Sequence, residues 1–271
     1  MKLGSLFSGI GGLELGLERA GLGHTIWQIE KDPEARRVLA HHWPNVTRYE
    51  DVNTVGVLLE RPDLLCGGFP CQDISKANQS GRGLAGARSG LWYQFERLAD
   101  ELRPEWIVVE NVYHAWRQWV PAVRRALWRL GYSSVCLRVR ASDVGARHKR
   151  ARGFVVANAD GRILREQSGR SGWAERQRQA VVATVAADAD VPRQQIRHGQ
   201  RSDAQPQPQP WTDARSADLG ALGERVHGLS NVVAIRLLGN AVVPQCAEVV
   251  GRIIRGLVMP TYNISLESVT R

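Results

Sequence analysis

A cysteine that directly follows a proline is the residue of this chain best suited to nucleophilic chemistry. An apolar segment from Leu64 ends in two glycines and Phe69, and Pro70 and Cys71 follow. Because proline fixes its own φ and lacks an N–H donor, the loop that carries Cys71 is expected to be stiff. A thiol held in this way can attack an electrophilic carbon once it is ionised. A buried cysteine that only packs at a strand end is the alternative.

A glycine-rich segment near the N-terminus has the pattern of a turn that binds a nucleotide-like cofactor. A short apolar strand leads into the turn, and residues with helical spacing follow it. Glu30 ends the next apolar strand, at the position where a carboxylate accepts hydrogen bonds from ribose hydroxyls. An ordinary tight turn between a strand and a helix is the alternative. The residues of the turn are Phe7, Ser8, Gly9, Gly11 and Gly12.

Two polar segments flank further apolar strands. Glu110 and Asn111 end one of them, and a carboxylic acid at a strand tip can hydrogen-bond a ring nitrogen and polarise the ring. A solvated strand end is the alternative there. The second segment is a basic turn before another strand, which either aims guanidinium groups into a cleft or forms a solvated, phosphate-binding surface. It contains Arg147, Lys149, Arg150 and Arg152.

The elements that must position these residues alternate between strands and helices. Strands are predicted at 2–7, 25–30, 63–66, 106–110, 134–140 and 153–157, with a short one near 47–49. Helices are predicted at 11–21, 32–43, 89–102 and 116–130. Such alternation predicts an α/β fold with a parallel sheet. Residues 1–157 are therefore predicted to form one α/β domain.

The composition changes after Asn158. Residues 160–218 are rich in Arg, Gln, Asp and Ala and poor in Ile, Leu and Phe, and residues 205–210 alternate Gln and Pro. This composition predicts a region, 158–226, that builds little core of its own and is partly without fixed structure. The apolar pattern returns at 227–259, which is predicted to form a helix that packs back on the first domain. Residues 260–271 form a polar tail.

The charge distribution and the cysteines indicate which ligands and which location to expect. The net charge is +9, and residues 113–153 alone hold ten Lys and Arg against one Asp, a difference of +9. A basic segment of this kind is typical of phosphate binding, with a solvated amphipathic helix as the alternative. The four cysteines lack metal-ligand spacing, so no metal site is expected. No apolar run of membrane-spanning length and no signal sequence is recognised, so a cytoplasmic protein is expected.

These segments together resemble the C5-cytosine-specific DNA methyltransferases of the prokaryotic or phage type. The family's F-x-G-x-G-G is similar to residues 7–12, its Pro-Cys-Gln to residues 70–72 and its Glu-Asn-Val to residues 110–112. Its Gln-x-Arg-x-Arg resembles residues 148–152, with His148 in place of Gln, and its Gly-Asn-(Ser/Ala)-Val resembles residues 239–242. The motifs occur in the family's order over most of the chain.

The resemblance implies a Rossmann-like, mostly parallel sheet of the class I methyltransferase type, with a small, irregular target-recognition region at 158–226. It implies methyl transfer from S-adenosyl-L-methionine to C5 of a flipped-out cytosine in double-stranded DNA. Cys71 would add to C6 of the base and Glu110 would hydrogen-bond N3. Arg150 would lie at O2 of the base, and Arg152 and Lys149 would favour the thiolate.

The resemblance also implies binding residues and partners. For the cofactor, Phe7 would stack on the adenine, Glu30 would bind the ribose and Asp51 the adenine amine. The turn residues Ser8, Gly9, Gly11 and Gly12, together with Pro70, Asn240 and Val242, would complete that site. DNA would be bound by Gln72, Arg147 and Lys149. The chain is expected to be a monomer, with a cognate restriction endonuclease as a candidate partner.

Two departures from the family and three alternatives stay open. Lys31 stands where relatives often have an apolar residue against adenine, and His148 replaces Gln. The alternatives are an RNA cytosine-C5 methyltransferase, a nicotinamide-dependent oxidoreductase that shares the glycine turn, and a non-catalytic DNA-binding relative. The oxidoreductase alternative leaves Cys71 and Glu110 unexplained.

Overall fold

The computed structural model describes residues 1–70, 90–161, 163, 172–189 and 230–258. Cys71 and Gln72, for which the sequence predicts roles, lie outside the described residues. So do residues 190–229, which include the Gln-Pro repeat, and residues 259–271, which include the polar tail.

A twisted sheet forms the centre of the described chain. Its strands follow the predicted positions closely, because the central ones contain apolar runs that end in glycine or polar residues. They are β1 Lys2–Leu6, β2 His24–Ile29, β3 Thr47–Tyr49, β4 Leu64–Gly68, β5 Trp106–Val112, β6 Ser133–Arg140 and β7 Ala151–Asn158. Their order across the sheet is β3-β2-β1-β4-β5-β7-β6. All adjacent pairs are parallel except those of β7, which runs antiparallel to both β5 and β6.

Helices cover both faces of the sheet. Asp32 begins the second helix as predicted, because its carboxylate accepts a hydrogen bond of 2.9 Å from the Glu34 N–H and Pro33 occupies the first turn. The helices are α1 Gly12–Arg19, α2 Pro33–His42, α3 Leu91–Leu102, α4 Trp116–Arg129, α5 Gly172–Ala189, α6 Asn231–Asn240 and α7 Pro244–Val258. The mixed α/β fold with a mostly parallel sheet confirms the predicted fold class.

The two faces bury different cores. On one face, α3 and α4 pack Phe95 and Trp119 against the sheet, in a core that also buries Trp27. On the other face, α1 and α7 pack against each other and against the opposite side of the strands, with Leu17 and Val250 fully buried. A sheet buried on both faces explains why its strands appear in the sequence as continuous apolar runs.

Part of the region 158–226 forms a helix, α5. Residues 172–189 form a helix that packs against α7, and Ala180 and Thr184 are buried there. The sequence did not predict this helix, because its Ala, Gln and Arg residues show little apolar periodicity. Packing against α7 stabilises it, as tertiary contacts commonly do for weakly patterned helices. Within the described residues, α5 thus packs on the helix that covers one face of the sheet.

The C-terminal segment forms two helices instead of the single predicted one. Helix α6 ends at Asn240, and α7 begins at Pro244. Proline lacks the N–H that a residue inside a helix donates, so it is found at the start of a new helix. The stretch Val232–Val258 is long and apolar enough to span a membrane by length and composition, and 39% of its apolar 18-residue window is buried. The break at residues 241–243 interrupts it, and α7 lies in the core with Val249 and Ile254 fully buried.

The strand order reverses direction between β1 and β4. The loops that leave the carboxyl ends of the strands on the two sides of such a switch point run in opposite directions and leave a crevice where α/β folds bind ligands. The glycine-rich turn follows β1, and the segment leading to Cys71 follows β4. Because β7 is antiparallel, its first residues lie at this same edge, beside the end of β5. The topology thus brings three of the predicted motifs, and the strand end that leads to a fourth, to one edge of the sheet.

Candidate active site

Glu110 lies at the carboxyl end of β5 with its side chain turned over the end of β4. The parallel register pairs Glu110 with Gly68. A Cβ atom on Gly68 would lie 2.5 Å from Glu110 Oε2, so only glycine leaves room for this carboxylate. The second of the two glycines that end β4 therefore makes room for Glu110, just before the segment that carries Cys71.

Arg152 forms a buried ion pair with Glu110. Its Nε lies 2.9 Å from Glu110 Oε1, and the two side chains are only 12% and 10% exposed. Burial raises the pKa of Glu110 to about 7, although the nearby charges of Arg152 and Arg150 act in the opposite direction. The carboxyl group can therefore hold a proton near neutral pH, which suits a group that must donate to a ring nitrogen. Glu110 and Arg152 are called the base site below, after the nucleobase that the sequence predicts Glu110 to contact.

The raised pKa of Glu110 predicts a pH-dependent stability difference between the wild type and Glu110→Gln. Below the unfolded-state pKa near 4.5 the carboxyl is neutral in both states, and burial then carries no charge penalty. Between that value and about 7 the unfolded state ionises first, so the wild type loses stability relative to the variant, by on the order of 3 kcal/mol above pH 7. Urea unfolding of both proteins at pH 5 and pH 8 measures this. An equal difference at both pH values would contradict it.

Arg150 lies next to the base site but is held by a different part of the chain. Its Nη2 donates to the carbonyl oxygens of Gly239 and Ala241, at 2.6 and 2.7 Å. Partial burial lowers its pKa, as does the neighbouring charge of Arg152. The expectation that Arg150 lies at O2 of the base stays a prediction, but the arginine that pairs with Glu110 is Arg152. Arg150 instead joins the start of β7 to the end of α6.

The turn of residues 7–12, called the cofactor turn below, is held by backbone groups and by Glu30. The Ser8 N–H donates to the Ile29 carbonyl at 3.1 Å, and the Gly9 N–H donates to Glu30 Oε2 at 2.7 Å. The other Glu30 oxygen accepts from the Asp32 N–H at 2.8 Å. Each carboxylate oxygen keeps a further lone pair for a ligand hydroxyl. A Cβ on Gly9 would meet no atom within 4 Å, so this part of the turn faces open space.

The connection between α6 and α7 closes against the cofactor turn. A Cβ on Gly12 would lie 2.2 Å from the Val242 carbonyl oxygen, so the two backbones touch at this glycine. Asn240 is exposed and Val242 is half-buried beside the turn. Two motifs that lie more than two hundred residues apart in sequence are thus brought into contact. The open turn, the acceptors of Glu30 and this backbone wall suit an adenosyl cofactor.

Asp51 lies beyond the end of β3, the strand next to β2. Its Oδ1 accepts hydrogen bonds from the backbone N–H and the side-chain amide of Asn53, at 2.9 and 2.6 Å. These bonds lower the pKa of Asp51. The carboxylate is therefore ionised at neutral pH and able to accept from an amine.

Asn111 is a positioning residue that the sequence indicated only as part of the Glu-Asn-Val motif. Its amide donates to the Phe69 carbonyl oxygen at 2.8 Å, and its own Oδ1 accepts from the Val112 N–H. Asn111 is 3% exposed. This bond fixes the peptide before Pro70, whose side chain is exposed at the start of the segment that carries Cys71.

The basic turn lies at the surface beside the base site. Arg147, His148 and Lys149 are all exposed, whereas Arg150 is half-buried. The exposed cations are free to approach DNA phosphates, and their roles stay predictions. Within the described ranges, no group of three or more His, Cys, Asp or Glu is placed to hold a metal ion.

Comparisons with known proteins agree with this geometry. The family model described as C-5 cytosine-specific DNA methylase matches residues 1–212. The Type II methyltransferase M2.BsuMI of Bacillus subtilis (strain 168) is 37% identical over 166 residues, which cover 58% of this chain and 42% of that protein. M1.HphI of Haemophilus parahaemolyticus is 31% identical over 169 residues, which cover 58% of this chain and 45% of that protein. The chain thus spans less than half the length of these relatives.

A vertebrate protein and a solved structure are also similar. The chicken (Gallus gallus) DNA (cytosine-5)-methyltransferase 1 is 30% identical over 185 residues, covering 59% of this chain and 12% of that protein. A crystal structure described as a DNA modification methyltransferase encoded within an E. coli prophage is 28% identical, with a TM-score of 0.47, covering 58% of this chain and 46% of that one.

Proposed function

The chain belongs to the C-5 cytosine-specific DNA methylase family, and from this premise we propose that it methylates C5 of cytosine in double-stranded DNA with S-adenosyl-L-methionine as methyl donor. The observation that carries this proposal is the buried Glu110–Arg152 pair, which lies at the same sheet edge as the cofactor turn. A buried acid with a pKa near 7, held by an arginine, suits polarisation of a flipped-out cytosine ring.

The chemistry begins with the nucleophile. Cytosine C5 is a poor nucleophile until the aromatic ring is broken. In the proposed mechanism the Cys71 thiolate forms a bond to C6, and the electron pair of the C5–C6 double bond moves towards the ring nitrogen N3. Glu110 delivers its proton to N3, and Arg152 stabilises the charge at O2. This makes C5 enamine-like and nucleophilic.

The remaining steps restore the aromatic ring. S-adenosylmethionine would supply an electrophilic methyl group, so that C5 would form the new carbon–carbon bond as the methyl–sulfur bond breaks and S-adenosylhomocysteine leaves. A base then removes the C5 proton, the C5–C6 double bond re-forms, the Cys71–C6 bond breaks and N3 returns its proton to Glu110. In this scheme Asn111 orients the segment before the nucleophile through its bond to Phe69. Phe7, Glu30 and Asp51 are proposed to bind the adenosyl part, with Asn240 and Val242 closing the methionine side.

The different positions of the two arginines predict different kinetic effects. Arg152→Ala removes the partner of Glu110 and is expected to lower kcat by about 10²-fold or more. Arg150→Ala removes two bonds to the α6–α7 connection and is expected to raise KM for S-adenosylmethionine with a smaller effect on kcat. Steady-state kinetics, measured with DNA and S-adenosylmethionine varied in turn, distinguish the effect on kcat from the effect on KM. Equal effects of both variants on kcat alone would contradict this division.

The decisive experiment is transfer of a tritiated methyl group from S-adenosylmethionine to duplex DNA or to tRNA. The proposal expects label in DNA, at C5 of cytosine as located by bisulfite sequencing. Label in tRNA alone would favour the RNA methyltransferase alternative. DNA binding without any transfer would favour the non-catalytic alternative, and binding of a nicotinamide cofactor would favour an oxidoreductase.

Several finer properties belong to the proposal. Residues within 158–226 that lie outside α5 are proposed to select the target sequence, since every group used in the chemistry lies outside this interval. Gln72, Arg147 and Lys149 are proposed DNA contacts. The protein is proposed to act as a cytoplasmic monomer. A cognate restriction endonuclease is its proposed partner, since bacterial relatives carry the name Type II methyltransferase.

A further inference from the structure

A chain of hydrogen bonds runs from the cofactor turn into the core below it. The Ser8 hydroxyl donates to Ser5 Oγ at 2.9 Å, and the Ser5 hydroxyl donates to Glu14 Oε1 at 2.5 Å. Each hydroxyl has a single proton, so the carboxylate of Glu14, when ionised, sets the direction of both bonds. Ser8, Ser5 and Glu14 are called the hydroxyl chain below.

The hydroxyl chain lies among groups that are costly to bury. Glu14 is fully buried, its Oε2 has no hydrogen-bond partner, and burial raises its pKa to about 7. Gln28 pairs with Ser5 in the β1–β2 register and is also fully buried, with neither amide atom hydrogen-bonded. Apolar residues at these positions would avoid the desolvation cost. A role in stability alone therefore does not account for Glu14 beneath the turn.

The hydroxyl chain joins the two sides of a strained residue. Phe7 has a φ of +55°, which costs a non-glycine residue of order 1–3 kcal/mol and persists only where the surroundings enforce it. Ser5 precedes Phe7 by two residues and Ser8 follows it directly. The bond between their hydroxyls therefore spans the backbone at Phe7. Ile29 and Glu30 hold the turn from β2, whereas Glu14 holds it from α1 beneath.

We propose that Glu14 is a positioning residue for S-adenosylmethionine, which acts through Ser5 and Ser8 to hold the backbone of the cofactor turn. This inference rests on the proposed function, because it takes the turn to be the cofactor site. Glu14 does not touch the cofactor in this proposal. Its contribution is to keep Phe7 and the N–H groups after it in the binding geometry, so its loss weakens binding and spares the chemistry at saturation.

The test compares Ser5→Ala, Glu14→Met and Glu14→Gln. Ser5→Ala breaks the chain in its middle and is expected to raise both Kd and KM for S-adenosylmethionine about tenfold, with kcat at saturation unchanged. Glu14→Met removes the acceptor of the Ser5 hydroxyl and is expected to raise Kd and KM by a similar factor. Glu14→Gln keeps an oxygen that can accept from Ser5, so it is expected to restore nearly wild-type affinity. Calorimetric titration gives Kd, and methyl transfer to duplex DNA gives KM and kcat.

Gln28→Met is the matched control, since it removes a buried polar group from the same row but outside the hydroxyl chain. It is expected to bind the cofactor as the wild type does. Wild-type affinity in Ser5→Ala, a fall in kcat without a rise in KM, or an equal loss in Gln28→Met would overturn the inference. If Glu14→Met fails to fold, Ser5→Ala still decides. A wild-type protein that binds no S-adenosylmethionine would overturn the proposed function itself, and this inference with it.

Discussion

Replacing Cys71 by serine is expected to abolish methyl transfer to DNA while S-adenosylmethionine still binds. A cysteine thiolate is an effective nucleophile, whereas a serine hydroxyl without a strong base is not. Loss of the nucleophile is expected to lower kcat by on the order of 10⁴-fold or more. The cofactor turn follows β1 and the Cys71 segment follows β4, so the substitution leaves the residues that hold the cofactor turn in place.

The covalent step can be observed directly. Wild-type protein is expected to form a covalent adduct with DNA that contains 5-fluorocytosine. The adduct should survive denaturing electrophoresis, because fluorine at C5 blocks the elimination that frees Cys71. Cys71→Ser is expected to form none. Cys136→Ser is the control, since Cys136 lies on β6 away from the base site and its removal is expected to leave the adduct intact. Substantial methylation by Cys71→Ser would rule out Cys71 as the nucleophile.

Glu110→Gln is expected to lower kcat by about 10²–10⁴-fold, the usual range for loss of a general acid. The amide cannot deliver a proton to N3 of the base, although it fills the same space beside Gly68. DNA affinity is expected to stay close to that of the wild type, because Glu110 is buried and contacts no phosphate in this mechanism. The slope of log affinity against log salt should then be unchanged, whereas loss of one phosphate contact changes it by about 0.9.

Single-turnover methylation and gel-shift titration at several salt concentrations measure these two properties. Glu96→Gln is the matched control, because Glu96 also pairs with an arginine, Arg129, at 3.0 Å but does so on the surface. That variant is expected to methylate like the wild type. In a double-mutant cycle, Glu110→Gln and Arg152→Ala should be strongly non-additive, as for residues that act as a unit. Additive losses would show that the two side chains work independently.

The amino-acid sequence by itself determined the order and type of most elements. Each central strand is an apolar run closed by glycine or a polar residue, and the Asp32–Pro33 pair marks the start of α2. These signals are local, because burial on both faces and capping depend on residues within one or two turns. The motif residues Phe7, Glu30 and Glu110 also follow from sequence, since strand ends are where side chains gather at a sheet edge.

Only the tertiary structure decided what several of these side chains do. Arg150 and Arg152 look alike in sequence, yet one bonds the carbonyls of Gly239 and Ala241 and the other bonds Glu110. Helix α5 and the hydroxyl chain beneath the cofactor turn were also not predicted from the sequence. The physical reason is the same in each case. A guanidinium, a weakly periodic helix or a buried carboxyl takes its role from the partners packed against it, and those partners belong to other elements whose placement local sequence does not specify.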